Sequence, residues 1–188
     1  YLLAFIVTIG SVATNIYIPA LPVVREYFGS TVAQVQATFS IALLTFALGM
    51  LFWGPFADRY GRRLAILAGV GLMAAGSVAC LFAPSLEWLI AGRGVLAFGT
   101  ATGIAVSRTI VSDLYPDSMA RMLAQLAIFA VVSSASAPVI GGFLTSWFGW
   151  RAVFVAQVVM AAAVAWLTWK HLPETRPPTK QPPEVREM

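Results

Sequence analysis

The chain has 188 residues; 59% are hydrophobic, only 11% are charged, and the formal net charge is +4. A soluble domain of this length would carry about 25% charged residues, so composition excludes an ordinary soluble protein. The basic pI near 9.6 does not mark a nucleic-acid binder, because the arginines flank apolar runs and form no basic stripe.

In chain order the apolar runs are about 2–21, 35–56, 64–82, 88–108, 121–145 and 150–170. Each is long enough to cross about 30 Å of hydrocarbon as a helix. No ten-residue alternation appears, so a barrel is excluded and the spans are helical. The first run lacks the basic flank and small-residue cleavage site of a signal peptide, and Pro19 and Pro22 are expected to end it. Between the second and third runs lies Gly54 to Arg63, with Asp58, Arg59, Arg62 and Arg63. These charges cannot sit in lipid, so a seven-residue hairpin at the membrane surface is expected. Gly61 permits its turn and Gly54 a close helix approach. Cys80 lies inside the third run and has no cysteine partner. Ser85 is placed to cap the fourth helix, with Glu87 in its first turn. The fifth run follows Pro116-Asp117-Ser118, and tryptophans 53, 88, 147, 150 and 169 sit near span ends, as an aromatic belt requires. Residues 1–171 thus read as one six-helix bundle. Residues 172–188 hold five prolines and read as a solvated linker or tail. Because the chain starts at Tyr1 inside an apolar run, it is expected to be part of a longer protein.

Lysine and arginine set the orientation. One side collects Arg59, Arg62, Arg63, Arg108, Arg121, Lys170 and the basic residues of the tail, and the other has Arg25 and Arg151. The positive-inside rule then predicts that both termini and the 57–63 hairpin are cytoplasmic. A shift of 88 residues places Gly54 on Gly142, Tyr60 on Phe148, Gly61 on Gly149 and Arg63 on Arg151. Spans 1–3 therefore read as a distant copy of spans 4–6, with inverted topology because three is odd. The competing explanation is the shared need for glycine at tight turns.

These residues also carry a resemblance. Gly54 to Leu64 resembles G-x-x-x-D-R-x-G-R-[RK]-x, the signature between spans 2 and 3 of the major facilitator superfamily. Arg93 with Gly99 resembles its span-4 motif. Ala137-Pro138-Val139-Ile140-Gly141-Gly142 resembles the span-5 motif of its drug/proton antiporters. The segments Asn15 to Pro22, Ser107 to Tyr115, Trp150-Arg151 and Leu172 to Thr175 narrow this to bicyclomycin-resistance-type exporters. The resemblance implies half of a twelve-helix fold in which Pro138, Gly141 and Gly142 bend span 5 and pack between halves. It implies proton-coupled efflux of small amphipathic compounds, a proton gradient instead of a cofactor, and a bacterial inner-membrane location. Two positions depart from it: Asn15 and Leu96 stand where that subfamily has aspartate and glutamine.

Arg93 is the one formal charge well inside a span, where charges usually face a bundle interior or wet cavity. It is expected to bind an anion or couple to protonation, against a structural role on backbone carbonyls. Thr8, Ser11 and Asn15 form a polar stripe on the first helix, and Gln125, Ser133 and Ser136 another on the fifth. Such stripes line an aqueous path or bond helices together. Tyr17 joins the cavity set on the resemblance. Asp58 can accept from the arginines, and Asp113 is expected to partner Arg62 or Arg63, so Gly54, Asp58, Arg59, Gly61, Arg62, Arg63 and Asp113 read as a conformational latch or as a topology signal alone. Gly99, Gly103 and Ser107 are spaced for close helix packing. No serine–histidine pair or acid cluster suits an intramembrane enzyme, and no metal site is expected. The partners expected are a small-molecule substrate, the bilayer, and a second six-helix half from the same longer chain or a second copy, with no nucleic acid. The alternatives are a facilitator-fold transporter of a polar metabolite and a homodimeric structural protein.

Overall fold

The computed structural model describes residues 2–114 and 116–171, and every regular element among them is helical. The α-helices are α1 (Leu2–Asn15), α2 (Leu21–Phe28), α3 (Val32–Tyr60), α4 (Arg62–Leu81), α5 (Leu86–Leu114), α6 (Met119–Phe148) and α7 (Arg151–His171). Short 3-10 turns at Ile18–Ala20 and Pro116–Ser118 precede α2 and α6. Six stretches are long and apolar enough to cross a membrane, the first being Ala4–Phe28, in which α1 and α2 run end to end. The tail at 172–188 lies outside the described residues.

Three local expectations are corrected. Pro19 and Pro22 do not end the first span. Each occupies one of the first two positions of a new helical element, where its missing N–H costs nothing. The helix breaks after Asn15, restarts, and continues to Phe28. The charged hairpin is not a seven-residue loop: α3 runs to Tyr60, α4 starts at Arg62, and only Gly61 leaves the helix, at φ 103°. That φ suits glycine alone. Gly54 does not serve a close approach among the described residues, since a Cβ there would meet nothing within 4 Å.

The repeat extends to backbone detail. Gly149 ends α6 at φ 79° as Gly61 ends α3. Gly61 N–H bonds the Ala57 carbonyl at 2.9 Å, and Gly149 N–H bonds that of Thr145 at 3.0 Å. Arg63, at the start of α4, donates to the Trp169 carbonyl near the end of α7, at 2.7 Å. Arg151, at the start of α7, donates to the Leu81 carbonyl at the end of α4, at 3.2 Å. Each corresponding residue lies 88 positions on. The two antiparallel helices thus clasp each other at both ends, each arginine meeting the negative end of its partner's dipole.

Small residues bring the helices together around α5. A Cβ on Gly76 would strike the Leu96 backbone, and one on Gly99 the carbonyl of Gly69. A Cβ on Gly49 would lie 2.8 Å from the Phe98 carbonyl oxygen. Trp53 anchors the same α3–α5 seam by donating from Nε1 to that oxygen at 2.8 Å. Gly103 faces Ile6 of α1, so Gly99 and Gly103 serve different neighbours instead of one packing face. Leu96 is buried beside Gly76.

Candidate functional site

The break between α1 and α2 builds the site. Where the helix is interrupted, Tyr17 enters the interior with no exposed surface and leans on Phe154 of α7, ring centroids 5.7 Å apart. Arg93 of α5 reaches the same place. It is 3% exposed, and its guanidinium carbon lies 3.6 Å from the centroid of the Tyr17 ring. Its Nε donates to the Thr38 carbonyl of α3 at 3.2 Å. The Thr38 hydroxyl donates to the Val35 carbonyl at 2.6 Å and sits 3.5 Å from the Tyr17 hydroxyl. A cation is therefore held by a ring face and a backbone carbonyl, with no carboxylate partner among the described residues.

Asn15 stands at the same break, half-buried. Its amide nitrogen donates to the Ser11 carbonyl at 2.9 Å and to Ser134 Oγ of α6 at 3.4 Å. The side chain bonds α1 to α6 and leaves its carbonyl oxygen for another donor. α6 runs unbroken through Pro138. A Cβ on Gly141 would fall on the Ile16 carbonyl, while one on Gly142 would approach only Pro19, at 4.0 Å. Gly141 is thus spent within this half, on the broken end of α1.

The remaining cavity candidates separate. Ser133 is buried, but its hydroxyl returns to the Ala130 carbonyl of its own helix at 3.0 Å. Gln125 is exposed on α6 and joins none of the contacts around Arg93. Sequence reasoning missed Thr38 and Phe154, which touch Tyr17, and Gln157, which ties α7 to α1. Gln157 has no exposed surface, donates from Nε2 to the Ala13 carbonyl at 2.7 Å, and its Oε1 has no hydrogen-bond partner among the described residues. A lone amide in the middle of the sixth apolar run was the signal that could have found it.

The charged end of α3 and α4 converges on Arg62, which is 3% exposed. Its Nε and Nη2 donate to Asp113 Oδ2 at 3.2 and 2.8 Å, and its Nη1 lies 2.6 Å from Asp58 Oδ1. Of the two arginines offered to Asp113, Arg62 takes it, while Arg63 goes to the end of α7. Arg59 stays outside this group, 5.4 Å from the Tyr60 ring.

The sequence matches the Major Facilitator Superfamily over residues 3–187. It is 34% identical over 177 residues to Multidrug resistance protein D of Escherichia coli strain K12, covering 94% of this chain and 45% of that protein. It is 28% identical over 178 residues to a bicyclomycin resistance protein homolog of Haemophilus influenzae, covering 91% and 45%. A bacterial homolog of the human lysosomal transporter Spinster shares the fold, with TM-score 0.63 at 22% identity over 97% of this chain and 45% of that one. The chain spans about half the length of the curated relatives it matches. The fold, the signature between α3 and α4 and these relatives agree: this multi-pass membrane chain belongs to the major facilitator superfamily.

Proposed function

We propose that the intact protein is a secondary active exporter of small amphipathic compounds, driven by the proton gradient and working by alternating access, with this chain as one half. The observation that carries the reading is Arg93. A charge inside a span costs about 2.5–3.5 kcal/mol, and a cation–π contact returns about 0.5–2 kcal/mol. The remainder falls to one carbonyl, so the cation is held without being neutralised. An anionic group of a substrate, or an acid of the second half, completes it. The likeness to resistance proteins of Escherichia coli and Haemophilus influenzae supports drugs as the cargo. The Arg62–Asp58–Asp113 group acts as a latch, because it ties the ends of α3, α4 and α5 at one membrane face. Both termini lie in the cytoplasm on the arginine asymmetry, in the inner membrane of a bacterium.

The test is drug susceptibility of cells making the intact protein. Arg93→Ala abolishes resistance, and Arg93→Lys recovers only part of it, because a point charge does not replace a planar fork. A proton uncoupler removes wild-type resistance. Full resistance from both arginine variants would make Arg93 a structural residue. One observation favours a second reading, transport of a polar metabolite: Asn15 does not titrate and cannot pair a lipophilic cation. Native resistance to anionic or neutral drugs over cations, with Asn15→Asp shifting it toward cations, fits the exporter; a native chain that confers no resistance at all favours the metabolite.

A further inference from the structure

The backbone ladder of α1 closes with Ile16 N–H on the Val12 carbonyl, at 2.9 Å. The next carbonyl in line, that of Ala13, is met from outside the helix: Gln157 of α7 donates to it from Nε2 at 2.7 Å. Where a helix ends inside a span, no water replaces the missing partner, so a neighbouring helix has to supply the donor. One turn earlier on α7, Phe154 packs on the Tyr17 ring, with centroids 5.7 Å apart. Ala13 lies before the interruption of the first span and Tyr17 after α1 has ended. α7 therefore grips that span at two points, one turn apart, on either side of the break. Gln157, Phe154 and Tyr17 all have no exposed surface.

We infer that Gln157 is a positioning residue for the Arg93 site, a role whose use in transport rests on the exporter reading. By holding the Ala13 carbonyl it fixes the angle of the interrupted span, and so keeps the Tyr17 ring on the Arg93 guanidinium, 3.6 Å from carbon to centroid. A ring attracts a cation only at short range and over its face, so a turn of the segment beyond the break carries the ring off the charge. The amide itself argues for a donor and against mere filling. Its Oε1 is buried and has no hydrogen-bond partner among the described residues, and a buried acceptor left unpaired is costly. A hydrocarbon of the same length would fill the place with nothing unsatisfied. What the amide adds is its N–H on Ala13.

Fluorine NMR of the purified intact protein, labelled with 3-fluorotyrosine, tests this. The Tyr17 signal is the one that Tyr17→Phe removes. Arg93→Gln takes the cation off the ring, and the shift it causes sets the direction to look for. Gln157→Met keeps the length of the side chain and loses the donor. It is expected to move the Tyr17 signal in that same direction. Its melting temperature is expected to stay close to wild type, because the bond lost at Ala13 is offset by removal of the unpaired oxygen. Gln157→Asn keeps the amide but is a methylene too short to reach Ala13, and it moves the signal likewise even if the methionine variant does not fold. Thr168→Val removes a buried hydroxyl without a hydrogen-bond partner from the same helix and leaves the signal in place. An unmoved Tyr17 signal in a folded Gln157 variant overturns the proposal. So does an equal shift in Thr168→Val, or failure of both Gln157 variants to fold, which would make the residue structural. A moved signal with drug resistance at the wild-type level supports the grip of Gln157 on the break and counts against the exporter role of Arg93, so the two readings fail separately.

Discussion

Arg93 lies against the face of Tyr17, 3.6 Å from guanidinium carbon to ring centroid, at the point where the first helix is interrupted. Tyr17 occupies the turn between Asn15 and the 3-10 element. Helix break and buried charge thus meet at one place. Tyr17→Phe keeps the ring face and loses only a 3.5 Å hydroxyl contact, which is at the limit of a hydrogen bond. Transport by the intact protein is expected to stay near wild type. Tyr17→Leu removes the ring, and thermal unfolding in detergent is expected to show a loss of about 1–3 kcal/mol together with impaired transport. Equal behaviour of both variants would dissociate the ring from the arginine.

Asp113 and Asp58 are not equivalent partners of Arg62. Asp113 makes two contacts and its side chain is 28% exposed, against one contact and 61% for Asp58. Exposed ion pairs contribute about 0–1 kcal/mol, whereas leaving a buried charge short of its partner costs more, about 1–3 kcal/mol. Asp113→Asn is expected to lower the unfolding temperature more than Asp58→Asn. On the latch reading Asp58→Asn impairs transport while leaving insertion and expression intact, which flux and surface-labelling assays measure together.

Gly76 and Gly71 share α4 but not their surroundings. A Cβ on Gly76 would lie 2.7 Å from Leu96 Cα and 2.8 Å from the Gly92 carbonyl oxygen, and one on Gly71 would meet nothing within 4 Å. Gly76→Ala is expected to destabilise by about 1–3 kcal/mol, the usual cost of overpacking. Gly71→Ala should be neutral or gain up to about 1 kcal/mol from helix propensity. Thermal melts of the two variants decide this, and a Gly76→Ala protein as stable as wild type would show that the α4–α5 crossing can open.

Topology is best probed beside the turn glycines, since Gly61 and Gly149 have φ of 103° and 79° and a cysteine in either would be strained. Tyr60 and Phe148 are 49% and 74% exposed. Cysteines at these two positions, in a Cys80→Ser background, are expected to react with an impermeant reagent from opposite sides of the membrane. Reaction of both from outside would refute the inverted arrangement.

The long apolar runs made the number of spans, their order and the 88-residue repeat legible, because lipid forces each backbone into a helix whatever its neighbours do. Local chemistry was less legible. Pro22 reads as a stop in isolation, and only the chain beyond it shows a helix beginning there. The tie from Asn15 to Ser134 spans 119 positions and that from Gln157 to Ala13 spans 144, so no local pattern announces them. Thr38 contributes to the Arg93 site through its backbone carbonyl, a group every residue carries. Gln125 lies on an exposed face of α6, and helical spacing alone does not state what covers that face.

The paired clasps between α4 and α7 bear on how the protein is made. Arg63 is separated from the Trp169 carbonyl by 106 residues, and Arg151 from that of Leu81 by 70. At a synthesis rate of about 5–20 residues per second, Arg63 waits roughly 5–20 s at the membrane surface before its acceptor emerges. The two clasps close only when the last helix arrives, so α7 acts as the closing piece of the half. A chain stalled before it would leave Arg63 without the Trp169 carbonyl and the Leu81 carbonyl without Arg151.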